Sequence, residues 1–311
     1  MTQTVQSRIA ELKERRNAVI LAHNYQIDSV QAIADFTGDS LGLSRQAAQV
    51  EADVIVFCGV KFMAETAAIL NPDRTVLLPE LEATCPMADM IDAEELMALK
   101  ARHPDAAVVC YVNSTAEVKA LSDVCCTSAN AVEVANSIEP GRRIIFIPDR
   151  NLGHYVARQT GRDIILTDGF CPTHVRILPE HVADVRRRYP DAVVMVHPEC
   201  LPAVVDMADV VASTGGMLRY ARQSTAREMI VGTEVGLLYR LRQENLDKVF
   251  IPLTPAAVCP NMKRTTLSSV VLALEDMQHR ITVPRRTAEA ARRAVDRMLE
   301  IGGRAPTKAP A

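Results

Sequence analysis

No run of this sequence reaches the ~18 consecutive apolar residues that a membrane-spanning helix needs. Charge of one sign is equally scarce, since 35 Lys and Arg stand against 38 Asp and Glu for a formal net charge of −3. Without a general cationic field to hold a phosphate backbone, a nucleic-acid partner is disfavoured. The opening MTQTVQSRIAELKERRNAVILAH sets charges ahead of only a short apolar strand, which does not read as an export signal. The expectation is a cytoplasmic protein with no membrane association. Neither CxxC nor CxxxCxxC occurs, which weakens a zinc-ribbon or ordinary ferredoxin reading.

What is present fits a globular chain with an ample core: 311 residues, 48% apolar and 23% charged. This excludes disorder, collagen and a disulfide scaffold, and the length suggests two or three folding units. The cysteines are Cys58, Cys85, Cys110, Cys125, Cys126, Cys171, Cys200 and Cys259. In a reducing compartment they are thiols rather than disulfides, so metal binding or catalysis must account for any special ones.

The chain repeats itself. Ala18 to Tyr25, Ala107 to Asn113 and Ala192 to Glu199 are each a β-branched run ending in polar residues. His23, Tyr111 and His197 fall 88 and 86 positions apart, as do Asp35, Asp123 and Asp209 in a second set. A third set is Cys85-Pro86, Cys171-Pro172 and Cys259-Pro260, separated by 86 and 88 positions. Short, near-continuous apolar strands alternate with helical patterns inside each unit, which implies parallel sheets buried on both faces. The fold class is therefore α/β, with three Rossmann-like αβα repeats around a pseudo-threefold axis. The expected units span residues 17–85, 86–171 and 172–280. Residues 1–16 and 281–311 form terminal helices and a tail, frayed from Gly302 to Lys308.

Ligands of open parallel sheets lie beyond the carboxyl ends of the strands, and every anchor sits at such an end. If the units pack with these ends facing one another, Cys85, Cys171 and Cys259 converge. Three thiolates without a fourth match a [4Fe-4S] cluster with one open iron better than a closed zinc site. An open iron is a Lewis acid able to help expel water. The other five cysteines read as structural. His23 with Tyr25, Tyr111 with Asn113, and His197 with Glu199 are i, i+2 pairs that share a side of one strand and supply acid/base groups. Gly38-Asp39-Ser40, Thr127-Ser128 and Ser213-Thr214-Gly215-Gly216 place hydroxyls and amides at expected helix N-termini, which favour anions. A polyanionic small molecule fits such a cavity. His174 stands three residues beyond Cys171, and Lys61, four before Glu65, is either a surface ion pair or a phosphate contact.

Taken together, His23-Asn24-Tyr25, Gly38-Asp39-Ser40, Cys85-Pro86, Tyr111-Val112-Asn113, Cys125 to Asn130, Cys171-Pro172-Thr173-His174, His197 to Cys200, Ser213-Thr214-Gly215 and Cys259-Pro260-Asn261-Met262 resemble the quinolinate synthase A family. The resemblance runs from about residue 17 to 275. It implies a [4Fe-4S] cluster on Cys85, Cys171 and Cys259. It also implies condensation of iminoaspartate with dihydroxyacetone phosphate to quinolinate, losing phosphate and two waters, in de novo NAD biosynthesis. His23, Ser40, Tyr111, Asn113, Ser128, His197, Glu199, Ser213 and Thr214 would bind substrate, while Tyr25, Glu199, His197 and Tyr111 would act in catalysis. A functional link to an iminoaspartate-producing enzyme follows. No second thiol beside Cys259 offers a local redox switch.

Two other functions compete. A diphthamide-type enzyme also gathers three cysteines from three repeats but cleaves S-adenosylmethionine, and the His23/Tyr25 and His197/Glu199 pairs disfavour it. A non-catalytic iron-sulfur sensor belongs to a different class, and the chain lacks a basic DNA-reading helix.

Overall fold

The computed structural model describes residues 4–301, so the tail from Gly302 to Lys308 lies outside the described residues. Among the described residues there are twelve short strands, most of them β-branched or apolar runs. The first unit holds β1 (Ala18–His23), β2 (Phe36–Gly38), β3 (Val54–Cys58) and β4 (Thr75–Leu77). The second holds β5 (Ala107–Tyr111), β6 (Val124–Cys126), β7 (Ile144–Ile147) and β8 (Ile164–Leu166). The third holds β9 (Val193–Val196), β10 (Val210–Val211), β11 (Glu228–Gly232) and β12 (Val249–Pro252).

Each set makes one four-stranded sheet of the same order: β2-β1-β3-β4, β6-β5-β7-β8 and β10-β9-β11-β12. Every pairing is parallel, with Leu21 beside Phe36, Val109 beside Val124 and Met195 beside Val210. The chain leaves the first strand of each unit on one side and returns on the other. That reversal makes the crevice in which α/β sheets carry ligands. Residues of β3, β5 and β7 are buried throughout, as the apolar runs require of strands covered on both faces.

The repeated aspartates hold the sheets together. Oδ2 of Asp35, Asp123 and Asp209 accepts the backbone N–H of Ile20, Val108 and Val194 at 2.8, 2.7 and 2.8 Å. In each unit the carboxylate joins the start of the second strand to the first. These anchors are structural and, contrary to the expectation that every anchor sits at a carboxyl end, they stand at the amino ends of β2, β6 and β10, away from the ligand crevice.

The helices outside the repeat are integral to the core. Ile9 and Leu12 of helix Val5–Arg16 pack with Ile20, Val54 and Val56 of the first sheet, together with Val270 and Leu274 of helix Leu267–Asp276. That second helix, which falls by sequence in the third segment, thus covers the first sheet. Helix Arg285–Ile301 buries Ala294, Val295 and Met298 in the cluster shared by the first and second units. Among the described residues no helix is long and apolar enough to cross a membrane.

Candidate active site

The carboxyl ends of the three sheets face one cavity of about 270 Å³. From the first unit come His23 and Tyr25 after β1, Asp39 and Ser40 after β2, and Cys85 after β4. Tyr111, Asn113, Ser128 and Cys171 come from the second, and His197, Glu199, Thr214 and Cys259 from the third. Equivalent loops thus meet in a pseudo-threefold arrangement. Phe62, Met63 and Met262 give the cavity an apolar wall.

Ser213 is the expected site residue that does not line this space. It is the N-cap of helix Thr214–Gln223, where its hydroxyl accepts the Gly216 N–H at 3.1 Å and lies 3.3 Å from Asp39 Oδ2. Lys61 also stays out of the cavity lining: its side chain is exposed and stands 4.0 Å from Glu65. Of the three expected helix starts, two are present, at Ser40 and Thr214. The third differs, because the next helix begins only at Ala131 after Asn130 has accepted the Thr127 N–H at 2.8 Å. Ser128 therefore reaches the cavity from a turn.

The i, i+2 pairs meet for a different reason from the one the sequence implies. β1 ends at His23 and β9 at Val196, so Tyr25 and Glu199 stand in turns beyond the strands. The first turn folds back so that His23 Nδ1 accepts the Tyr25 N–H at 3.2 Å, with the rings edge to face at 4.6 Å. In the third unit His197 Nδ1 lies 3.3 Å from Glu199 Oε2. Tight turns, rather than pleat alternation, bring the partners together.

Two residues that motif reading left undecided or missed complete a polar chain across units. His174 Nδ1 lies 2.8 Å from Glu199 Oε2 and 3.0 Å from Cys171 Sγ. Its Nε2 lies 2.8 Å from Thr233 Oγ1, which in turn is 2.6 Å from the Tyr25 hydroxyl. Thr233 follows β11, has no repeat partner and is buried, so nothing in the sequence singles it out. His197 stacks on His174 at 4.6 Å and reaches Ser128 Oγ at 3.1 Å through Nε2.

The charge states follow from this packing. Burial would raise Glu199, but His174 and His197 outweigh it and hold the carboxylate well below its usual range. Asp149 moves the other way, pushed well up by burial and by Glu199. Burial, then Glu199, raises both the Tyr25 and Tyr111 phenols, so each keeps its proton at neutral pH. Burial and the neighbouring His197 lower His23 to about 3, leaving a neutral imidazole. The site thus combines one ionised base with protonated phenols, a division of labour suited to acid/base chemistry.

The three expected ligand cysteines are free thiols at the cavity edge, whereas Cys58, Cys110, Cys125, Cys126 and Cys200 are fully buried. Burial pushes the Cys85 thiol up to about 12 and raises Cys171 and Cys259 as well. Three partly buried cysteines facing one space are neutral thiols on their own, and a cation among them would favour their ionised, ligating form. Glu199 Oε1 and Asn113 Oδ1 are buried acceptors without a protein donor, which marks the cavity as built around a ligand. Cys171, His174 and Glu199 also bring ligand atoms within 4.8 Å of one another.

A family model described as Quinolinate synthetase A protein matches residues 7–300. A quinolinate synthase of Thermodesulfovibrio yellowstonii is 57% identical over 302 residues, covering 97% of this chain and 99% of that protein. One from Geobacter metallireducens is 56% identical over 298 residues, covering 96% and 98%. One from Methanoregula boonei is 57% identical over 300 residues, covering 96% and 99%.

Proposed function

Because the chain belongs to the quinolinate synthetase A family, we propose that it condenses iminoaspartate with dihydroxyacetone phosphate to quinolinate, releasing phosphate and two waters. Atoms and electrons balance in this reaction, so no external oxidant is required. The observation that carries the reading is the convergence of three equivalent cysteines and three polar pairs on one cavity.

Cys85, Cys171 and Cys259 would hold a [4Fe-4S] cluster. Held by three protein thiolates, such a group would supply Lewis acidity for dehydration. A single ion on Cys171, His174 and Glu199 would leave Cys85 and Cys259 without a role, which favours the cluster. Ser40 and Thr214 offer hydroxyls and helix-end amides to carboxylate and phosphate oxygens. His23, Asn113, Ser128 and Tyr111 surround them with further hydrogen-bonding groups. Ionised Glu199 accepts a proton, and the Tyr25 hydroxyl donates one and recovers it through Thr233 and His174. The apolar wall limits water, which would otherwise hydrolyse the imine substrate.

The segments 17–85, 86–171 and 172–280 act as the units that bring these loops together. The enzyme works in the cytoplasm, close to a source of iminoaspartate, because an imine survives only briefly in water. Anaerobic incubation of the iron-loaded protein with both substrates tests the reading by the appearance of quinolinate. Cleavage of S-adenosylmethionine by the reduced protein, without quinolinate, would favour the diphthamide-type alternative. Iron binding with neither activity would favour a sensor.

A further inference from the structure

Behind the cavity wall a second polar centre joins the first and third units. Glu234, two residues past β11, has no exposed surface and does not line the cavity. Its Oε1 accepts the backbone N–H of Cys259 at 3.2 Å, and its Oε2 accepts the backbone N–H of Gly236 at 2.8 Å. Lys263 Nζ lies 2.9 Å from Oε1 and 3.0 Å from Oε2, and also donates to the backbone carbonyl of Tyr25. One ion pair therefore touches both the loop bearing Cys259 and the turn bearing Tyr25. A buried carboxylate stripped of its partner is strongly destabilising, which keeps the two side chains together.

Two independent features mark the arrangement as specific. A Cβ on Gly236 would stand 2.7 Å from Lys263 Nζ, 2.8 Å from Glu234 Oε2 and 2.9 Å from the Tyr25 carbonyl carbon. Only glycine leaves room for the pair. In the second unit Asp149 also stands two residues past the third strand, fully buried, and its backbone bridges Gly169, two residues before Cys171. Two of the three units thus place an acid behind their cysteine, while the first has Val60 at that position.

We propose that Glu234 and Lys263 are positioning residues that set the Cys259 sulfur and the Tyr25 hydroxyl together, through one clasp on two backbones. The proposal rests on the reading of Cys259 as a cluster ligand.

The test compares Glu234→Gln with the parent after anaerobic loading with iron and sulfide. Iron release to a chelator should quicken and kcat should fall by about ten- to a hundredfold, with KM within about twofold and an altered EPR spectrum of the reduced protein. Lys263→Arg, which keeps the charge, should largely preserve all four readouts. Gly236→Ala crowds the same pair without changing its charge and should reproduce the defect, which covers a Glu234→Gln protein that fails to fold. Variants that lose thermal stability alone, with parental spectrum, chelator release and kcat, would overturn the clasp while leaving the cluster reading intact. A parent protein that takes up no iron would overturn both.

Discussion

The hydroxyls of Tyr25 and Thr233 stand 2.6 Å apart although 208 residues separate them in the chain. Thr233 also contacts His174, so a phenol that keeps its proton is wired to an imidazole and, through it, to an ionised carboxylate. Tyr25→Phe and Thr233→Val should both load iron normally. Tyr25→Phe should lose about a hundredfold or more in turnover, and Thr233→Val somewhat less. Quinolinate formation and iron content measured on the same samples check this, and near-parental rates would remove the chain from the mechanism.

The cysteines divide into two groups. With the proposed cluster on Cys85, Cys171 and Cys259, replacing any one of them by Ala should abolish its brown chromophore and activity together. Cys110 and Cys200 are fully buried, their thiols directed at the carbonyls of Tyr111 and Gly232. Cys110→Ala and Cys200→Ala should keep the chromophore and cost only about 1–2 kcal/mol of stability. Absorbance spectra and thermal unfolding separate the groups.

His23 supplies a pH signature in the metal-free protein. Its folded-state value of about 3 lies below the ordinary 6.5 because of burial and then His197. Between those values the unfolded chain binds a proton that the folded chain refuses, so stability falls as pH drops below about 6.5. His23→Asn should lose less stability than the parent between about pH 6.5 and 4. Thermal melts across that range decide it, and parallel curves for the two proteins would contradict the assignment.

The joint between the first and third units passes through Asp39 and Gly215. A Cβ on Gly215 would stand 2.5 Å from Asp39 Oδ2, while Asp39 Oδ1 is held by the Gly42 N–H. Gly215→Ala should therefore destabilise the protein by about 1–3 kcal/mol through overpacking. Adding Asp39→Ser should recover part of the loss, as chemical denaturation of the single and double variants will show.

The fold was readable because it is written three times. Parallel strand order follows from buried β-branched runs such as Val54 to Cys58, and the equal spacing of Asp35, Asp123 and Asp209 reports a contact that each sheet repeats. Most observed strands fall within a residue or so of the apolar runs that encode them, whereas β2 is Phe-Thr-Gly and has no such run. Residues without a repeat partner were harder to find. Thr233 and Lys263 gain their roles only from packing between units, and nothing local distinguishes them. Ser213 shows the opposite failure: its position matches an anion-binding helix end, yet the hydroxyl is spent on capping and faces Asp39. Lys61 satisfies the local pattern for a phosphate contact, but its exposed side chain takes it out of the cavity lining.

The most direct test of the central claim is anaerobic quantitation of iron and acid-labile sulfide, with an electronic spectrum, on the parent and on the Cys85→Ala, Cys171→Ala and Cys259→Ala proteins. The parent should carry about four iron and about four sulfide per chain, and each variant should fall close to zero. A full complement retained in any one variant, or stoichiometric zinc with no sulfide in the parent, would contradict it.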